Sequence, residues 1–166
     1  GNGGNVTVNV NSPIYTSGKG AYGVVAASVG GGGGLAISGT GVIDSGGLGT
    51  GVAGLVTVNV NAPIYATGEG AIALYAHSIS DPIVTVAAGQ SVIATGGASA
   101  ILLDGAINEL TNNGTITGSV LRDDIRTETA LATSGNGVTT VVNNGRLTGN
   151  IQAGNGVSGD TSTITF

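Results

Sequence analysis

The segment VTVNVNSPIYTSGKGAYGVVAAS, from Val6 to Ser28, returns as VTVNVNAPIYATGEGAIALYAHS from Val56 to Ser78, 50 residues later and identical at more than half of its positions. Repetition of this kind constrains the architecture more than any single motif, because a unit too small to bury its own apolar face must stack on its neighbours. A second, shorter unit reads LTNNGTITGSV from Leu110 to Val120 and VVNNGRLTGNI from Val141 to Ile151.

Within the long unit Val6, Val8 and Val10 alternate with Thr7, Asn9 and Asn11, and Val56, Val58 and Val60 with Thr57, Asn59 and Asn61. Period-two alternation is the mark of a strand with one apolar and one polar face. Pro13 and Pro63 stand at the strand ends, where a missing N–H does least harm to a ladder, and Gly18-Lys19-Gly20 and Gly68-Glu69-Gly70 then allow a tight corner. Gly20 to Ala26 and Gly70 to Ala76 read as the next strand. Asn112, Asn113 and Gly114, matched by Asn143, Asn144 and Gly145, supply another kind of corner, since Asn and Gly tolerate positive φ. Short strands between Gly and Asn corners predict an all-β fold, a parallel β-helix or β-solenoid of stacked coils spanning residues 1–166 as one segment of a longer repeat protein. Equivalent asparagines are expected to stack as ladders. At about 20 to 25 residues per coil the long repeat is expected to be two coils. A sandwich or barrel of hairpins gives no reason for near-identical units so far apart.

Composition narrows the function. Gly is 33 of 166 residues, charged residues are 8 % and aromatics 3 %, so the interior must be narrow and filled by Val, Ala, Ile and Leu, leaving little room for a large cofactor. No Cys is present, which removes disulfides, thiolate metal sites and cysteine nucleophiles. A net charge of −5 makes nucleic acid a poor partner. No apolar run approaches the roughly 18 residues of a membrane helix, so no membrane insertion by this segment is expected. The first residue is Gly1, as expected where numbering starts inside a mature or trimmed product.

The phrase GAYGVVAASVGGGGG from Gly20 to Gly34 and the two N-N-G-x-[I/L]-T-G-x-[V/I] units, in a Gly-rich acidic chain without Cys or Met, resemble the passenger regions of bacterial autotransporters of the glycine-rich β-helical type. The resemblance covers most of the chain. It implies a right-handed β-helix exported across the outer membrane by a C-terminal barrel and displayed on the cell surface or shed, often as an adhesin or stalk. The barrel itself is not in this sequence. Thr161 to Phe166 reads as a solenoid strand.

Sites of chemistry are few. Gly18 to Gly23 matches G-x-G-x-x-G, but the residues after it favour a strand where a dinucleotide loop needs a helix, and the slot recurs at Gly68 to Ala73, so it reads as a repeated corner. The run Gly30 to Gly34 lacks the Gly-Lys-Ser/Thr ending of a P-loop and reads as a flexible protruding turn. His77 is the sole histidine and takes a repeat position held by Ala27, so it reads as an outward-facing coil residue; a serine triad would have to recruit His77, Asp81 and a serine through the fold alone. Tyr15 and Tyr65 match in the repeat and read as packing elements that could stack. Asp44, Glu69, Asp81, Asp104 and Glu109 are scattered. Charge concentrates only at Arg122, Asp123, Asp124, Arg126 and Glu128, inside the 31-residue interval between the two Asn-Asn-Gly units, which suggests an inserted loop near 121–130 and the best candidate binding loop. The G-G-x-G-x-D register of calcium-binding repeats is absent. No catalytic, cofactor or metal site is expected.

The resulting expectation is a non-enzymatic bacterial cell-surface or extracellular structural protein, an adhesin or stalk whose partner is a host-cell or surface ligand. The alternative is a self-assembling extracellular fibre or matrix protein stacking end to end on copies of itself. A carbohydrate-active β-helix enzyme is the minor alternative, and would need clustered carboxylates such as Asp123 and Asp124.

Overall fold

A computed structural model describes residues 1–31, 34–38, 41–45, 51–96, 99–118, 129–134, 138–154 and 161–166. The first coil comprises β1 (Val6–Val10), β2 (Ile14–Thr16) and β3 (Tyr22–Ser28), and is followed by β4 (Gly34–Ser38) and β5 (Gly41–Ser45). The second coil is β6 (Val56–Val60), β7 (Ile64–Ala66) and β8 (Ile72–Ser78), and the third is β9 (Pro82–Val86), β10 (Ser91–Ala94) and β11 (Ser99–Asp104). The fourth is β12 (Ile107–Asn112), β13 (Thr115–Gly118) and β14 (Thr129–Ser134), the fifth β15 (Val138–Asn143), β16 (Arg146–Thr148) and β17 (Asn150–Gln152), and β18 (Thr161–Thr165) opens a sixth turn. Strands at equivalent places pair in parallel into three sheets, β1-β6-β9-β12-β15-β18, β2-β7-β10-β13-β16 and β3-β8-β11-β14-β17. The chain is a three-faced parallel β-solenoid. Thr161–Thr165 is a solenoid strand, paired with β15.

The long repeat is one coil, not two. Val6 pairs directly with Val56, while on the same face Val56 pairs with Pro82, a step of only 26 residues. The difference is taken up between β3 and β6, where β4 and β5 pair antiparallel with each other and with none of the three sheets. Gly34, the last glycine of the run read as a protruding turn, is the first residue of β4. Between the Asn-Asn-Gly units the interval is one coil as well, with Asn112 facing Asn143. Its excess falls between β13 and β14, and β14 already begins at Thr129, so the last residues of the expected 121–130 loop are strand.

Alternation along each strand sends one set of side chains into a narrow core. One column on the first sheet runs Val8, Val58, Val84, Leu110, Val141 and Ile164, and on the second Ile14, Ile64, Val92, Ile116 and Leu147. From Val58 to Val141 the first column is sealed from solvent, as are Ile64, Val92 and Ile116. Each such Leu or Ile contributes about 1.5–3 kcal/mol relative to an exposed position. On the third sheet an adjacent pair is buried at the same place in each of three coils, Ala73-Leu74, Ala100-Ile101 and Ala130-Leu131, which breaks strict alternation as a β-bulge does; in β8 burial runs on to Ser78. The first member is always small. At the equivalent Gly23 a Cβ would come within 2.7 Å of Ile64 Cγ2, so the facing strand leaves no room for more.

Corners are held by hydrogen bonds along the solenoid axis. After the first sheet, the backbone N–H of Asn61 reaches Val10 O (2.9 Å), Ala87 reaches Val60 O (3.0 Å), Asn113 reaches Val86 O (2.9 Å) and Asn144 reaches Asn112 O (2.8 Å). After the third sheet a serine relay takes over. Ser28 Oγ donates to Gly4 O and accepts from Gly54 N, both at 2.8 Å, while Ser78 Oγ donates to Gly54 O at 2.7 Å and accepts from Ser80 N at 3.0 Å. Ser78 is fully buried. Ser78→Ala strands two backbone groups and should cost about 1–3 kcal/mol in urea unfolding; a midpoint equal to that of the unmutated chain would show that the relay adds nothing.

Candidate functional site

Asn corners are where the sequence placed its repeat ladder, and there the side chains do pair between coils. The inward column that reads Val10, Val60 and Val86 continues as Asn112 and Asn143. Asn112 is fully buried, and its amide nitrogen donates to Asn143 Oδ1 at 2.7 Å and to Arg146 O at 3.1 Å. Its Oδ1 accepts from Gly114 N at 3.0 Å. A polar group in an apolar core is tolerated only when satisfied, and three bonds satisfy this one. Outside the corner Asn144 Nδ2 donates to Asn113 Oδ1 at 3.0 Å, and on the first sheet Asn59 bonds Asn9 and Asn61 bonds Asn11.

Among the described residues, the outer face of the third sheet holds a cluster of titratable side chains that resembles a chemical site. Register sets His77 beside Asp104 and Asp104 beside Ser134, with Tyr75 two residues before His77 on the same face. Asp104 Oδ2 accepts from Tyr75 Oη at 3.1 Å and from His77 Nδ1 at 3.0 Å. The rings of Tyr75 and His77 lie nearly parallel, and Tyr22 meets Tyr75 edge-on. His77 therefore projects from the outer side of its sheet, as its repeat position suggests, but it is not a solvent-facing residue: it is 4 % exposed. Its acidic partner is Asp104 and not Asp81.

This grouping is not a serine–histidine–aspartate relay. A serine–histidine–aspartate relay needs the imidazole between the other two groups, whereas here the carboxylate is central and the imidazole is enclosed. It is well built for holding a charge. The hydrogen bond from His77, aided by Ser134, the charge of His77 and the bond from Tyr75, outweighs burial and keeps the Asp104 carboxyl below the usual aspartate range. A carboxyl so depressed stabilises the fold at neutral pH; that contribution begins to fall as pH drops through the ordinary value of about 3.9 and is gone below the folded pKa. Asp104→Asn should accordingly flatten the acid limb of a stability profile measured from about pH 4 downward, beneath the ordinary histidine range. Parallel acid limbs for the two proteins would contradict this.

Other expected features fall into the fold. Gly20 and Gly70, with φ of 64° and 68°, form stacked corners joined by a hydrogen bond from Gly20 N to Glu69 O, and Tyr22–Ser28 follows as strand, so the G-x-G-x-x-G match is a corner and not a dinucleotide loop. Lys19 and Glu69 pair across it at 3.2 Å in an exposed position. Tyr15 and Tyr65 stack at 5.1 Å between centroids. Among the described residues no group of three His, Asp or Glu side chains is placed to hold a metal. The candidate binding residues Arg122, Asp123, Asp124, Arg126 and Glu128 lie outside the described residues.

Fold and corners together define the class of the protein: a parallel β-solenoid whose coils are joined by asparagine and serine ladders. No protein-family model, no curated protein and no solved structure matches the chain.

Proposed function

We propose that this chain is a length of non-enzymatic structural rod displayed outside a bacterial cell, a stalk or adhesin segment of the autotransporter-passenger kind that presents a surface to a host-cell or surface ligand. The observation that carries the reading is the axial continuity of its bonding, three parallel sheets plus serine and asparagine ladders that tie each coil to the next. Such an array suits mechanical persistence and display, and demands no chemistry from its side chains. The resemblance of Gly20 to Gly34 and of the Asn-Asn-Gly units to passenger regions supplies the location. Immunogold labelling of intact cells with antibody against the chain should decorate their exterior; labelling that appears only after permeabilisation would overturn the reading.

End-to-end self-assembly is favoured by one separate observation. The two most similar coils are direct neighbours, with Val6, Thr7, Val8, Asn9 and Val10 each facing its own kind, so the coil surface accepts a near-copy of itself. Electron microscopy of the isolated protein distinguishes the readings: concentration-dependent filaments support assembly, and single short rods at every concentration exclude it.

A further inference from the structure

Three Asn-Gly dipeptides lie among the described residues, Asn2-Gly3, Asn113-Gly114 and Asn144-Gly145. In any such pair the glycine nitrogen can attack the asparagine side-chain carbonyl carbon, provided that nitrogen is free to turn onto it and water can reach the product. The fold treats the three differently. Gly3 N is tied to Val52 O at 2.8 Å. Gly114 N is tied to Asn112 Oδ1 at 3.0 Å, and Gly114 is buried. Gly145 N donates to no acceptor among the described residues, and Asn144 and Gly145 are both exposed. The difference arises in the core ladder: Asn143 Oδ1, the counterpart of the oxygen that holds Gly114 N, is taken by Asn112 Nδ2 at 2.7 Å, and Asn143 Nδ2 turns to Gly145 O instead.

We propose that Asn144 is a site of spontaneous covalent modification, which the fold leaves open while protecting Asn2 and Asn113. Gly145 N bonds to Asn144 Cγ, the Cγ–Nδ2 bond breaks, and the amide leaves as ammonia carrying the proton released from the glycine nitrogen. Water then opens the cyclic imide to aspartate or isoaspartate, with no other reactant. The product carboxylate replaces the amide that donates to Asn113 Oδ1 at 3.0 Å, turning a ladder bond into a repulsion between oxygens. The isoaspartyl form also adds a main-chain carbon before Gly145, one residue ahead of Arg146, whose N–H holds Gly114 O at 2.8 Å, and so displaces the start of β16. Modification at Asn144 loosens the stacking of the fifth coil on the fourth.

The test is to incubate the folded chain at mildly alkaline pH, digest it, and follow each asparagine by mass spectrometry against its own rate in denaturant. Relative to those unfolded rates, Asn144 should convert about tenfold or more faster than Asn2 and Asn113, the factor expected when one hydrogen bond must break before attack. Protection of Asn144 equal to that of Asn113, or conversion of Asn2 or Asn113 as fast as Asn144, overturns the assignment.

Discussion

Gly68→Ala should lower the unfolding free energy by about 3 kcal/mol, whereas Gly18→Ala at the matching place in the first coil should change it by less than about 1 kcal/mol. Neither glycine adopts positive φ, so the contrast is steric alone. Each coil directs carbonyls along the axis toward the next, and a Cβ on Gly68 would run into the carbonyl of Gly18; one on Gly96 would run into that of Gly68. Backbone cannot yield as a flexible side chain does, so the corner must unstack. A Cβ on Gly18 meets only Ala21 Cβ, at an ordinary 3.6 Å. Urea unfolding of the two variants beside the unmutated chain gives the answer, and equal midpoints for both would show that the corner accommodates a methyl group by moving.

For the asparagine ladder, Asn112→Ala should cost about 2–4 kcal/mol and Asn144→Ala less than about 1 kcal/mol. Removing the Asn112 amide takes the donor from Asn143 Oδ1, one side-chain donor from Arg146 O, and the acceptor from Gly114 N in a buried segment. Unmade bonds at a site screened from water carry their full desolvation cost, and members of a linked network lose more together than singly. Asn144 gives one exposed bond to Asn113, for which water substitutes. Comparable losses for the two variants would mean that the inward amide has no advantage over the outward one.

Period-two alternation of Val with Thr and Asn marked the strands and their inward faces, and the Gly and Asn triplets marked the corners, although of those triplets only Gly20 and Gly70 adopt positive φ and the Asn-Asn-Gly corners turn without it. Both follow from local geometry, which any window of the sequence carries. The coil count did not, because a spacing of 50 residues is compatible with two coils or with one coil and an excursion. A signal was nonetheless present. Asn9 and Asn59, Asn11 and Asn61, Tyr15 and Tyr65 are outward residues of the same kind, and side chains of that kind gain from one another only when their coils are adjacent. The candidate site divided similarly. Asn112 and Asn143 were legible as ladder partners because both repeats carry them. The partnership of His77 and Asp104 was not, since they lie 27 residues apart with no shared motif and meet only once the coil register is known.

By itself, then, the sequence determined a stack of short strands with apolar Val and Leu facing inward and Asn and Gly at the bends, because side-chain direction and backbone freedom are properties of residues and their immediate neighbours. Tertiary structure alone decided which coil lies on which, that His77 is enclosed with Asp104 and Tyr75, that Ser28 and Ser78 link successive corners, and that Gly145 N finds no acceptor among the described residues. Each of these depends on contacts between residues 24 to 50 positions apart, and such contacts exist only after the register of the whole stack has been chosen.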